Sequence, residues 1–274
     1  MKASLIITTY NWPEALALTL ASVLDQRHSD FEVIVADDGS RADTGQSVTR
    51  VLGRSSLVWR HVRHEDDGIR QARIKNLAVG HATGDYFIFI DHDVVLHPDF
   101  IGDHLAGAAQ GCFLQGKRVF LSPERTARVM AAGSFTPPAP WARGLENRKN
   151  GLRAPALGRL MGRPKKFQRS LRGCNLSMTR ETFMAADGYD EVFDGLWGRE
   201  DSDICYRLFN QGIRIRNLWL AGLQYHLHHP SIKHRQRDRL DEELERCLRE
   251  KRTRAIRGYS KMDAEGELVA GSTR

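Results

Sequence analysis

Residues 86–90 read Tyr-Phe-Ile-Phe-Ile, an apolar run without polar alternation that stops at an acid, Asp91. A strand with one wet face alternates, so a strand apolar on both faces must be covered on both. A parallel sheet between two helix layers meets that demand. A second run, Phe31-Glu32-Val33-Ile34-Val35-Ala36, stops at Asp37-Asp38-Gly39-Ser40, and a short apolar, β-prone run covers Ala3 to Thr8. Between them lies a mostly apolar helix, Glu14 to Leu24, carrying Leu16, Leu18, Leu20 and Val23. Leu57-Val58-Trp59 reads as a further short strand, followed by charged residues and a helix from Ile69 to Gly80. The order strand, helix, strand, helix, strand predicts right-handed βαβ units and an α/β fold with a mostly parallel central sheet flanked by helices. Acids just beyond two strand ends lie at the edge where open α/β sheets bind ligands.

The chain has 274 residues, enough for one large domain, and its 41% hydrophobic and 27% charged content excludes wholesale disorder. The apolar runs are too short to span a bilayer. Met1 to Ile7 meets polar Thr8, Thr9 and Asn11 and reads as a strand, not a signal peptide, which makes the cytoplasm the expected compartment. Cys112, Cys174, Cys205 and Cys247 form no CxxC pair, so buried or free thiols are expected and not a zinc knuckle.

The net charge of +7 is uneven: residues 143–172 hold ten Lys/Arg against Glu146 alone. Such stretches suit nucleic acid, anionic lipid or phosphorylated substrates, and composition does not choose among them. Five prolines between 134 and 172 (137, 138, 140, 155 and 164) add the expectation of a loop-rich segment. A second ordered block follows at 173–230, and then a basic tail at 231–274. Within the tail, Lys233 to Arg257 has Leu240, Leu244, Cys247 and Leu248 on one helical face, and the last dozen residues are expected to fray.

Four clusters carry candidate chemistry. Asp91-His92-Asp93 sets two carboxylates close together just past a buried strand, where a hard divalent cation would relieve their repulsion and take up substrate phosphate. An isolated triplet of this kind reads more readily as a solvated capping turn, and it is the buried strand and the second acidic turn that shift it toward function. Asp37-Asp38-Gly39-Ser40 is a common turn sequence, yet Asp38 can also accept hydrogen bonds from a nucleobase or ribose. Gly195-Leu196-Trp197-Gly198-Arg199-Glu200-Asp201-Ser202-Asp203 offers an aromatic face for a sugar and a carboxylate for general base catalysis, or simply a helix N-terminus rich in acids. His226, His228 and His229 cluster late in the chain and suit either metal binding or an ordinary surface.

In this order the pieces resemble the inverting glycosyltransferases of family 2, with the GT-A fold. The opening, Ile6-Ile7-Thr8-Thr9-Tyr10-Asn11 with Phe31 to Ser40, is similar to that family's nucleotide-binding half at 1–110. Asn76 to Gly84, Asp85-Tyr86 and Asp91-His92-Asp93 look like its helix, strand and DxD motif. Arg172-Gly173-Cys174-Asn175, Gly188-Tyr189-Asp190 and Trp197-Gly198-Arg199-Glu200-Asp201 resemble the acceptor half of β-1,4-galactosyltransferases and bacterial chondroitin-type polymerases. The resemblance covers about residues 3–230. It implies a UDP-sugar donor, a divalent metal (Mn2+, with Mg2+ as the other choice) and a glycan or glycolipid acceptor in cell-surface polysaccharide or lipopolysaccharide synthesis.

By the same resemblance Thr8, Tyr10 and Asp38 hold uridine, and Arg73 approaches the donor. Asp93 ligates the metal with Asp91 and His226, and Asp91 also faces the ribose. Asp201 is the base, Glu200 binds acceptor, and Trp197 and Gly198 line the sugar pocket. Two departures stand out: Arg199 replaces a second glycine of the galactosyltransferase pattern, and His228 and His229 compete with His226. The other reading is a nucleic-acid or anionic-surface module built on residues 143–172 and 231–258. Interleaved aromatics would be expected there, and 143–172 contains only Phe167. No nucleic acid is expected, whereas the basic segments suit peripheral contact with the inner face of an anionic membrane. A pyrophosphorylase-like enzyme is disfavoured, because its glycine- and lysine-rich loop near the first strand is missing.

Overall fold

The computed structural model describes residues 1–169, 171–230, 237–262 and 267–272. The first half contains β1 (Ala3–Thr9), α1 (Pro13–Leu24), β2 (Phe31–Asp37), α2 (Ala42–Leu52), β3 (Val58–Arg63), α3 (Gln71–Gly80) and β4 (Tyr86–Asp91). There follow β5 (Val94–Leu96), α4 (Phe100–Gly107), β6 (Cys112–Gln115), β7 (Arg118–Leu121), α5 (Pro123–Ala132), β8 (Leu145–Glu146) and α6 (Pro155–Met161). The remainder is β9 (Leu176–Thr179), α7 (Arg180–Ala185), α8 (Glu200–Asn210), β10 (Arg214–Asn217), β11 (Gln224–His226), α9 (Arg237–Arg249) and β12 (Glu267–Gly271).

The larger sheet has the order β10-β6-β9-β4-β1-β2-β3-β12. Its centre, β4-β1-β2-β3, is wholly parallel, as the apolar runs demand. Alternate residues of these strands feed two cores. Ile6, Ile34, Phe87 and Phe89 pack on one face with Ile74 and Leu77 of α3, Phe183 of α7 and Ile204 of α8. Leu5, Ile7, Val33, Val35 and Ile88 pack on the other with Leu16 and Leu20 of α1, Val48 of α2 and Phe100 of α4. Each such side chain, fully removed from water, contributes roughly 1.5–3 kcal/mol before entropy is subtracted. β9 runs antiparallel between β4 and β6, and β12 closes the β3 edge antiparallel. A smaller sheet, β5-β11-β7-β8, packs Val95, Val119 and Tyr225 against Ala15 and Leu18 of α1.

Several sequence expectations need revision. β3 extends through Arg63, because its charges are absorbed by β2: Arg60 bonds Glu32 at 2.7 Å and His61 bonds Asp37 at 2.8 Å. Glu32, an acid inside an apolar strand, accepts from Ser4 Oγ at 2.7 Å and from the Thr83 and Gly84 amides, so its charge is fully hydrogen-bonded. Helix α3 begins at Gln71, two residues after the expected start. Among the described residues of segment 134–172, the regular elements are β8, a 3-10 turn and α6, and the rest is loop.

The tail helix is shorter than 233–257. Residues 231–236 lie outside the described residues, and α9 ends at Arg249. Its expected face holds, since Leu240, Leu244 and Cys247 are buried. The terminal residues 267–271 do not fray: they form β12, whose backbone partners are the free edge of β3. All four cysteines are free and buried. No helix among the described residues is long and apolar enough to cross a membrane.

Candidate active site

The carboxyl ends of β4, β1 and β2 lie side by side, with Thr8 in register with both Ala36 and Asp91, and Thr9 with Asp37. Asp37 is absorbed by the fold. It accepts from Ser40 N at 2.7 Å and pairs with His61. Burial opposes its charge, but these bonds outweigh burial and hold its pKa below the usual range. Asp38 is buried as well, held by His64 at 2.7 Å and by the Arg70 amide at 3.2 Å. Gly39, at φ 86°, sits where a Cβ would overlap the Asp66 backbone, so the turn requires glycine. Tyr10 is exposed beside it, its hydroxyl 3.3 Å from Asp66. Thr8 is buried, and its carbonyl oxygen lies 3.1 Å from His92 Nδ1. Arg73 is buried on α3 with its guanidinium 3.6 Å from Glu191.

A tight turn after β4 brings Asp93 under the small sheet, where β11 supplies His226. Asp93 Oδ2 lies 3.5 Å from His226 Nε2 and 3.2 Å from His229 Nε2. One ligand atom from each of the three falls within 4.8 Å of the others. Asp93 Oδ1 is buried with no hydrogen-bond partner. Burial works against the Asp93 charge, but His229, His226 and His92 outweigh it and its pKa falls. Asp91 goes the other way, pushed up to about 7 by burial and then by Asp93, with Lys75 and Arg118 opposing the rise. The orphaned oxygen of Asp93 and two imidazoles form a donor set that fits a divalent transition-metal ion, and Asp91, expected as a ligand, is not in this three-residue group. His92 and His228 are not in the three-residue group: His92 turns Nδ1 to Thr8, and the His228 amide bonds Thr126.

The acceptor-side acids stand at the start of α8. Both point at one buried lysine that the sequence reading missed. Lys75 Nζ lies 2.9 Å from Glu200 Oε1, 3.0 Å from Asp201 Oδ1 and 4.8 Å from the Tyr189 ring centre. Burial opposes the Lys75 charge, yet Asp201 and then Glu200 outweigh it and raise its pKa well above normal. Burial raises Glu200, with Lys75 pulling the other way. Gly173 packs directly on Asp201, where any Cβ would overlap the carboxylate. Lys75 also helps hold Asp91 charged, so one ammonium faces acids of both halves of the site.

Trp197 is 40% exposed on the loop before α8, between Gly195 at φ 88° and Gly198 at φ 96°. Arg199, in place of the expected glycine, adopts φ 80°, a left-handed conformation that glycine takes at no cost. Its side chain bonds Asp241 of α9, tying the loop to the tail helix. Arg118 was also missed. Its guanidinium stacks 4.6 Å over Phe120, and its charge acts on Asp91 and His226. Neither Lys75 nor Arg118 belongs to a local motif, and only the fold brings them to the acids.

Comparison with known proteins bears on the family and the fold. The family model described as Glycosyl transferase family 2 matches residues 4–168, and that for the N-terminal domain of galactosyltransferase matches residues 161–230. Chondroitin synthase of Escherichia coli is 28% identical over 249 residues, covering 83% of this chain but 35% of that protein, so the chain spans about a third of its length. The structure of S. aureus TarS 1-349 in complex with UDP-GlcNAc superposes with a TM-score of 0.65 at 18% identity, over 92% of this chain and 66% of that one. A mannosyltransferase from Pyrobaculum calidifontis in complex with GDP-Man and Mn2+ has a TM-score of 0.56 at 18% identity, covering 82% of this chain and 56% of that one. These likenesses match the GT-A architecture expected from the sequence. With more than half of its length matched by the family model, the chain belongs to glycosyl transferase family 2.

Proposed function

We propose that this glycosyltransferase moves a sugar from a UDP-sugar to a hydroxyl of a glycan or glycolipid acceptor, with inversion at the anomeric carbon. The observation that carries the reading is the buried Lys75 ammonium, which bonds Glu200 and Asp201 and whose charge also acts on Asp91. Donor-side and acceptor-side acids therefore lie in the field of one buried cation. Thr8, Tyr10 and Asp38 bind uridine at the strand ends, with Arg73 on the donor side. Asp93, His226 and Asp91 hold a divalent cation, and the position of His229 makes it a fourth candidate ligand. Such a cation neutralises the diphosphate and improves it as a leaving group.

Asp201 accepts the proton of the acceptor hydroxyl, whose oxygen bonds to the anomeric carbon from the face opposite the departing diphosphate. Lys75, 3.0 Å from its carboxylate, keeps the base aimed, and a positioned base of this kind is worth about 10²–10⁴-fold in rate. Glu200 fixes the acceptor, and Trp197 with Gly198 offers an apolar face to the sugar. The similarity to chondroitin synthase supports an acceptor in polysaccharide or lipopolysaccharide synthesis. The nucleic-acid alternative draws no support from the family.

The test is UDP release from a panel of UDP-sugars, with and without Mn2+, needing no known acceptor. Release that depends on the metal and on Asp93 supports the reading. No release from any UDP-sugar with Mn2+ present overturns it. Asp201→Asn is expected to keep donor affinity and lose transfer.

A further inference from the structure

Helix α6 is docked by its glycines. Gly158 and Gly162 are buried, and Gly158 lies so close to the Trp219 carbonyl that a Cβ would overlap it. Backbone bonds from Ala154 to Leu220 and from Lys165 to Ile215 pin the segment on either side. This arrangement turns the large side chains outward. Leu157 is 52% exposed, Leu160 78% and Met161 52%. Around them stand Arg159, Arg163, Lys165 and Lys166, all exposed. Of the ten basic residues in 143–172, Arg153 alone has a carboxylate partner within ion-pair range among the described residues. The field of the others is uncompensated: Lys149, Lys165 and Arg172 add to burial in lowering the Lys117 pKa.

An apolar ridge inside an unpaired basic field is costly in water, and an exposed patch of this kind marks an interaction surface. Nucleic acid would match the charge but not the leucines and methionine. An apolar protein groove would match the leucines but gain nothing from the surrounding cations. An anionic bilayer matches both, with acyl-chain boundary for the apolar side chains and headgroup charge for the cations. We propose that residues 157–166 dock this enzyme on an anionic lipid membrane. Seven residues beyond Lys166 the chain reaches Gly173, packed on Asp201, so the docked face lies next in sequence to the acceptor side of the proposed site.

The test is co-sedimentation of the full chain with phosphatidylcholine vesicles, plain or containing phosphatidylglycerol, at low and high salt. Binding is expected only to the anionic vesicles and is expected to weaken with salt. The charge variant Arg159→Gln/Arg163→Gln/Lys166→Gln should lose about fivefold in partition per residue changed. The apolar variant Leu157→Ser/Leu160→Ser should also lose vesicle binding while keeping its charge. Because all five residues are exposed, circular dichroism of both variants should match the parent. Wild-type chain that ignores anionic vesicles overturns the proposal, as does either variant binding them undiminished. Binding to an RNA homopolymer but not to vesicles overturns it in favour of a polyanion partner. Vesicle binding needs no donor, so its failure and failure of sugar transfer are read separately.

Discussion

Lys75, buried on α3, reaches across the sheet edge to Asp201 on α8 at 3.0 Å, while the same ammonium holds Glu200 at 2.9 Å. Two acids at a helix N-terminus would ordinarily repel each other. One buried cation between them fixes both carboxylates and so sets the direction in which Asp201 can take a proton. Lys75→Met is therefore expected to lower kcat about 10²-fold with little change in donor KM, the usual cost of a slightly misplaced catalytic group. The acid limb of the pH–rate profile should move to higher pH, since Glu200 loses the cation that favours its charged form. Lys75→Arg should restore the profile in part. Parallel profiles for Lys75→Met and wild type would reduce Lys75 to a structural ion pair.

Metal binding separates the histidines. Asp93→Ala is expected to abolish calorimetric heat for Mn2+ titrated with UDP, because the buried carboxylate is the member shared by both imidazoles. His226→Ala and His229→Ala should each weaken the ion about 10–100-fold, a range seen for residues around metal sites. His228→Ala should leave binding unchanged, since its contact is a backbone one. Undiminished affinity in Asp93→Ala would remove the cluster as the metal site.

Gly173→Ala tests the acceptor side through packing alone. The added methyl overlaps the Asp201 carboxylate, and overpacking typically costs about 1–3 kcal/mol. The expected result is a folded protein, melting several degrees lower, with transfer lost before donor hydrolysis. Wild-type transfer would show that Asp201 can move without penalty.

Stability should carry an acid limb from Glu32. Burial works against its charge, but bonds from Ser4, Thr83 and Arg60 outweigh it and lower its folded pKa below 4.5. A depressed acid contributes stability above its unfolded pKa and loses it as pH falls toward the folded value. Glu32→Gln is expected to cost about 1–3 kcal/mol near neutral pH, the range for leaving buried donors without their acceptor, and less below pH ~4. Urea midpoints at both pH values check this. A cost independent of pH would assign the effect to shape and not to charge.

The parallel centre of the sheet was readable because Tyr86 to Ile90 and Phe31 to Ala36 must be covered on both faces. The strand-end acids were readable because they interrupt those runs. Amphipathic α2 went unread, as did the strand character of Arg60 and His61, whose partners Glu32 and Asp37 come from another strand. Lys75 was invisible for the same reason: in sequence it is one cation in a helix, and its acids lie more than a hundred residues away. Among the histidines, the family resemblance favoured His226, whereas the fold also sets His229 beside Asp93, at 3.2 Å against 3.5 Å for His226.

β12 has a consequence for how the chain is assembled. The bond from the Trp59 amide to Ser272 Oγ spans 213 residues, so the β3 edge stays open until synthesis has passed residue 272. Contacts of such separation form late and slow the final step of folding. Until then the nascent protein presents an unpaired strand, which is the template on which β aggregation begins. Deleting residues 267–272 should therefore show itself first as poorer yield from cells and slower refolding, before any change in sugar transfer.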